Sequence, residues 1–203
     1  MPGLTWVGDR PDLARRRVAV LFADLSGFTR LVQSVDPEEV YRVVRPLMDE
    51  LVTLVRAHGG AIQQVLGDGF MAVFGLHSPG GDEPARAIRA GLALAGAPAG
   101  RLGWLPVHVG IEYGEVLVSP SWEPAAFAVW GSAVTLAKRL CDLAGPGRVY
   151  VGPQAHARGG PEVAGAAPFH TRLEGVPGEV LAYAMPPNFR PLTPAPRQLA
   201  EVA

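Results

Sequence analysis

Residues 36–60, DPEEVYRVVRPLMDELVTLVRAHGG, constrain the fold more than any other stretch of this chain. Asp36 is an N-cap acid, Pro37 sits in the first turn, and Glu39 follows three residues after the cap, which is a helix start. Val40, Val43, Val44, Leu47, Met48, Leu51 and Val55 then recur on one helical face. His58-Gly59-Gly60 stops the pattern. Pro46 lies inside the helix and is expected to kink it.

Shorter runs surround this helix. Arg17 to Ala23 reads as a buried strand that ends at Asp24. Ala61–Leu66 and Phe70–Gly75 read as a hairpin around Gly67-Asp68-Gly69, with an aspartate at its tip. Asp82-Glu83-Pro84 opens a second helix reaching about Ala95. Leu105–Ile111 and Glu115–Ser119 are expected to form another hairpin, turning at Tyr113-Gly114. An arm over 120–127 precedes a helix from about Ser132 to Leu143 and a strand over 148–151. Residues 155–168 read as a glycine- and alanine-rich connection. Residues 169–173 and 179–183 read as closing strands. The order strand, helix, strand, strand, helix, strand predicts an α+β fold with a ferredoxin-like βαββαβ core, extended by C-terminal strands and a helix. The expected division is an N-terminal extension over 1–16, a domain over 17–185 and a proline-rich, disordered tail over 186–203.

Composition narrows the class. A chain of 203 residues with 18 basic and 19 acidic side chains, net charge −1, has no field to attract nucleic acid or acidic lipid. Cys141 is the sole cysteine, which excludes an internal disulfide and a cysteine-cluster metal site. No signal-like apolar stretch opens the sequence, and the apolar-leaning run 90–100 is too short to cross a bilayer. The expectation is a soluble cytoplasmic protein with no membrane insertion and no nucleic-acid partner.

Asp24 and Asp68 carry the functional signal. In a ferredoxin-like order the first strand and the following hairpin are neighbours, so both carboxylates point into one space and repel unless a cation sits between them. Magnesium suits such a pair, since it takes oxygen ligands and is completed by water and substrate phosphates. Beside them Ser26-Gly27-Phe28 offers backbone amides at a loop-to-helix junction, where a phosphate can approach closely. Singly, each feature is ordinary turn chemistry. Together they describe a site for a metal-bound triphosphate.

The blocks LFADLSGFTRL, DPEEVYRVV, HGGAIQQVLGDGFMAVFG, VHVGIEYGEVLV, VWGSAVTLAKRL and LEGVPGEVLAY follow one another with the order and spacing of class III nucleotidyl cyclase catalytic domains. The resemblance spans about residues 17–185. It implies that Asp24 and Asp68, with the Leu25 carbonyl, bind two divalent metals, Mg2+ or Mn2+, and that Ser26, Gly27 and Phe28 form the phosphate-binding turn. It implies that Arg139 stabilises charge on the reacting phosphate. Because such sites form between two domains, it also implies a head-to-tail homodimer acting on a nucleoside triphosphate. Thr135 and Arg139, four apart, share a helix face.

Several positions depart from the family pattern. Gln64 and Ala128 stand at the base-reading positions, where adenylyl cyclases usually have lysine with aspartate or threonine, and guanylyl cyclases glutamate with cysteine. Gln64 can bond either purine; Ala128 reads neither through its side chain. Thr135 replaces the usual asparagine. His108 stands where a phosphate-facing arginine is common, although a histidine on an alternating strand serves equally well as a structural residue. Lys138 and Cys141 do not occupy the base-reading positions. Gly80-Gly81-Asp82-Glu83 resembles the start of the diguanylate cyclase signature, but Pro84 marks it as a helix cap. Three functions follow: a lyase producing a 3′,5′-cyclic nucleotide and pyrophosphate by two-metal catalysis, a degenerate cyclase-like dimer that binds nucleotide or a protein partner, or a structural homodimer whose aspartates bind no metal.

Overall fold

The structure, a computed structural model, describes residues 6–7, 10–77, 79–97, 105–120 and 127–187. Its elements run β1 (Trp6–Val7), β2 (Arg10–Leu25), α1 (Phe28–Ser34), α2 (Pro37–Ala57), β3 (Gly60–Leu66), β4 (Gly69–Phe74), α3 (Glu83–Gly96), β5 (Val107–Pro120), β6 (Phe127–Trp130), α4 (Ser132–Leu143), β7 (Val149–Val151), α5 (Pro153–Arg158), a 3-10 turn (Gly160–Val163), β8 (Ala167–Thr171) and β9 (Val180–Ala184). Among the described residues the strands form one sheet in the order β3-β4-β2-β5-β7-β9-β8, with β1 joined to β2 and β6 to β5. The first four strands in that order are the ferredoxin-like arrangement; β7 adds to β5 in parallel, and β8 and β9 complete the edge.

Strand β2 is central because both of its faces are buried. Ala19, Leu21, Ala23 and Leu25 face the cluster that takes in Val44, Leu47, Leu51 and Val55 of α2 and Ile88 and Leu94 of α3. Val18 and Val20 face the opposite cluster, with Ala133 and Ala137 of α4 and Val116 and Val118 of β5. Period-two alternation between two covered faces leaves a continuous apolar run in the sequence. The capped helix forms as its spacing predicts. The Asp36 carboxylate accepts from the Glu38 amide at 2.9 Å, and α2 runs on through Pro46, which lies on its exposed side. At the start of α3 the buried Glu83 accepts from the amides of Gly80 and Gly81 at 2.7 and 3.0 Å, so that glycine pair belongs to a local cap.

Four local expectations are corrected. The hairpin turning at Tyr113-Gly114 does not exist: β5 is one strand from Val107 to Pro120, with Gly114 paired to Val18 of β2. The glycines serve close approach instead. A Cβ at Gly110 would lie 2.2 Å from the Ala137 carbonyl and the Cys141 amide nitrogen, and one at Gly114 would lie 3.1 Å from the Ala133 Cβ, so α4 packs directly on the β5 backbone. The first strand extends back to Arg10, pairing Ala14 with Val118. The arm before α4 ends in strand β6, and the connection over 155–168 contains the end of α5, a 3-10 turn and the start of β8. The tail expected to be disordered lies, from residue 188 on, outside the described residues. Among those described, no helix is long and apolar enough to cross a membrane.

Candidate active site

Sheet register brings the two aspartates together. Asp24, at the end of β2, is flanked by Gly69 at the start of β4 on one side and by His108 of β5 on the other. Asp68 occupies the turn immediately before Gly69. A Cβ at Gly69 would lie 3.0 Å from Asp24 Oδ1, so glycine is what lets the carboxylate lie against the hairpin. Burial, and next the charge of Asp24, push the Asp68 carboxyl from an ordinary value of 3.8 up to about 6, with a hydrogen bond to Asp24 adding to the rise. Asp24 keeps 33% of its side chain exposed, so the pair faces outward.

The neighbours of this pair were only partly expected. His108 Nδ1 shares a 2.8 Å hydrogen bond with Ser26 Oγ, and its Nε2 lies 3.9 Å from Asp24 Oδ2. Burial and then the Lys138 charge lower the His108 pKa, against an opposing pull from Asp24. The imidazole is therefore a neutral buttress between the Ser26 turn and the carboxylates. Lys138 of α4 pairs with Asp142, and its charge also lowers the Asp68 pKa. Lys138 was set aside at the base-reading positions, yet its place four residues before Asp142 is the helical ion-pair spacing that marks it.

The phosphate turn needs one correction. The Ser26 amide donates to the Pro106 carbonyl at 2.9 Å and is not available to a ligand. Gly27, at φ 91°, is the N-cap of α1, leaving the Gly27 and Phe28 amides in the first turn, where a helix has no carbonyl of its own to receive them. Leu25 closes β2, its amide held by Asp24 Oδ1 at 3.0 Å.

The remaining candidates lie elsewhere on the same protomer. Arg139 Nη1 is 3.6 Å from Asp142 Oδ2 and 3.6 Å from Glu174 Oε2, close enough for ion pairs but too long for strong hydrogen bonds. Thr135, exposed one turn earlier, lines a cavity of about 320 Å³ with Glu112, Tyr113, Ser132 and the 175–177 loop. Gln64 is exposed on β3 and Ala128 half-buried on β6. The residue between these positions that sequence reasoning missed is Gln63: its Nε2 donates to the Phe127 carbonyl at 3.0 Å, tying β3 to β6. A second glutamine beside Gln64 was the only signal for it.

The donor set suits a hard divalent cation. Both carboxyls are oxygen donors on an open rim, and their mutual repulsion is what a cation relieves.

Comparison with known proteins bears on the family and the fold. The sequence model of the adenylate and guanylate cyclase catalytic domain matches residues 13–183. An uncharacterised protein of Mycobacterium tuberculosis is 32% identical over 133 residues, 66% of this chain and 32% of that protein. An adenylate cyclase of Streptomyces coelicolor is 32% identical over 137 residues, 68% of this chain and 32% of that protein. The chain thus spans about a third of the length of these relatives. Among solved structures, the guanylyl cyclase Cya2 superimposes with a TM-score of 0.76 at 26% identity, covering 88% of this chain and 96% of that one. The adenylyl cyclase CyaB from P. aeruginosa shares the fold at a TM-score of 0.76 and 21% identity, covering 89% and 98%. With the family model spanning most of the chain, and the aspartate pair placed on one open rim, the chain belongs to the adenylate and guanylate cyclase catalytic domain family.

Proposed function

We propose that this domain is a nucleotidyl cyclase, converting a nucleoside triphosphate to a 3′,5′-cyclic nucleotide and pyrophosphate. The observation that carries the reading is the convergence of Asp24 and Asp68 on one open rim, with Asp68 pushed up by burial and by its neighbour's charge. Asp24, Asp68 and the Leu25 carbonyl would hold Mg2+ or Mn2+. Bound there, the cations supply acidification of the ribose 3′-hydroxyl and neutralisation of the departing pyrophosphate.

The chain's own residues do the rest. The Gly27 and Phe28 amides receive phosphate oxygens at the start of α1. His108, neutral and bonded to Ser26, keeps that turn against β5. Arg139 binds the reacting phosphate with a planar, permanently charged fork, and Thr135 offers one hydroxyl on the same helix face. In a head-to-tail homodimer these two come from the partner, which gives two equivalent sites. To reach the phosphate, Arg139 exchanges Glu174 and Asp142 for the ligand. Gln64 and Ala128 lie at the base.

The test is direct: purified protein is incubated with each common nucleoside triphosphate and Mg2+ or Mn2+, and cyclic product is measured. Metal-dependent product that disappears in Arg139→Ala supports the reading; no cyclic product from any triphosphate sinks it. Ala128 and Thr135, which remove two expected polar contacts, favour a second reading, a nucleotide-binding dimer without turnover. Saturable triphosphate binding with no product in the same assay selects it.

A further inference from the structure

We propose that Gln63 is the positioning residue of the base slot: it clamps the start of β6 to β3 and so sets how a purine fits between Gln64 and Ala128. The proposal rests on the cyclase reading and deepens it.

The local geometry singles this residue out. In the β3–β4 pairing Ile62 opposes Ala72 and Gln64 opposes Met71, which leaves Gln63 as the extra residue of a bulge. Bulges re-aim side chains and are concentrated at sheet edges and beside functional sites. β3 is the sheet edge, and the re-aimed Gln63 reaches β6 to donate to the Phe127 carbonyl. Gln64, opposite Met71, takes the face of the sheet whose buried cluster, Met71 included, also receives Phe127 and Val129 of β6. The bulge thus leaves Gln63 bonded to residue 127, with Gln64 exposed next to it on β3.

Strand β6 needs such a clamp. It is four residues long and pairs only with the end of β5, from Leu117↔Trp130 to Pro120↔Phe127. Among the described residues the bond from Gln63 is its one side-chain hydrogen bond, beside the edge-on contact of the Phe127 ring with His77 at 6.4 Å and the packing of Phe127 and Val129 against the cluster that holds Met71. Ala128 has no polar side chain with which to correct a misplaced base. Gln64 carries both a donor and an acceptor and serves either purine edge by turning its amide. Discrimination therefore depends on the spacing between the β3 and β6 backbones, which the Gln63 bond fixes.

The test uses two near-isosteric variants. Gln63→Glu replaces the donor with an acceptor facing a carbonyl, and Gln63→Met keeps the volume without the bond. Binding of nonhydrolysable adenosine and guanosine triphosphate analogues with Mn2+ is measured by calorimetry, alongside inorganic tripolyphosphate, which has no base. The expected result is that purine triphosphates bind about fivefold more weakly or worse, as for loss of one net hydrogen bond, while tripolyphosphate affinity stays within about twofold. A merely structural role would weaken both ligands together, so a parallel loss, or unchanged purine binding in both variants, overturns the proposal. If the wild-type protein binds neither purine analogue, the cyclase reading itself falls and takes this one with it.

Discussion

Two carboxyl sites in this domain are pushed well above the ordinary range, both first by burial, and at only one of them does a neighbouring charge add to the rise. Asp68 stands on an open rim beside a second carboxylate, and rises to about 6 through partial burial and the charge of Asp24. Glu112 is sealed in the middle of β5, 2% exposed, and is pushed up to about 7 by burial against the pull of backbone amides, with no charged group contributing. Its Oε1 accepts from the Tyr113 and Ala155 amides at 2.6 and 2.9 Å, fastening the start of α5 to the sheet. Its Oε2 has no hydrogen-bond partner among the described residues, and a Cβ at Gly152 would lie 2.0 Å from it. The first site repels itself and is accessible, which is what an incoming cation exploits. The second is closed and already bonded, which is what a structural clamp requires. A raised carboxyl pKa alone therefore does not mark a catalytic group.

Substitution separates the two roles most sharply. On the proposed function, Asp68→Asn takes away one metal ligand and should lower cyclic-product formation by several kcal/mol of barrier, about a thousandfold or more. The same change relieves repulsion with Asp24, so the metal-free protein should melt no lower than wild type. Product assays beside thermal unfolding in chelator read both. A variant that melts well below wild type would show the aspartate pair to be a structural element like Glu112, and the contrast would collapse.

For Glu112 the expected effect is on stability and depends on pH. Its folded pKa, about 7, exceeds the ordinary 4.5, so the folded protein binds this proton more tightly than the unfolded chain. That contribution is complete below about pH 4.5 and is lost as pH rises through 7. Glu112→Gln does not titrate, so between pH 5 and pH 8 its stability should gain on wild type by roughly 1–3 kcal/mol. Parallel denaturation curves at the two pH values check this; a gap that does not change with pH would mean that Glu112 stays charged and finds a partner.

The contrast also explains what the sequence disclosed. The sites on the rim were legible because their residues sit at element ends: Asp24 closes an apolar run and Asp68 tips a Gly-Asp-Gly turn. The core order was legible because α2 is capped and periodic at both ends. Glu112 was not, because it falls between the expected strand end at Ile111 and the turn expected at Tyr113-Gly114, where an acid reads as a solvated loop residue. The same misreading turned Tyr113-Gly114 into a hairpin, since a strand glycine that makes room for α4 looks like a turn glycine until the helix is placed on it. Ser26 shows the converse limit: its amide looked available to phosphate because its partner, the Pro106 carbonyl, is distant in sequence. Gln63 was hidden by a bulge, which shifts one residue out of register without any signature residue.

Proton competition is the subtler way to tell the rim from the sealed site. On the proposed function a cation binds the deprotonated pair, so protonation of Asp68 opposes it. With the Asp68 carboxyl at about 6, metal affinity should be flat above pH 7 and weaken about tenfold for each pH unit well below 6, one proton being displaced per cation. Mn2+ binding followed by calorimetry between pH 5 and 8, in buffers of different ionisation enthalpy, gives both the affinity and the number of protons released. Glu112→Gln should leave that profile unmoved, because no metal reaches a carboxylate closed off beneath α5. If the profile shifts with Glu112, the two carboxyl sites communicate through β5, which contributes both His108 beside the rim and Glu112 four residues further on; the division between a working pair and a structural clamp would then have to be redrawn along that strand.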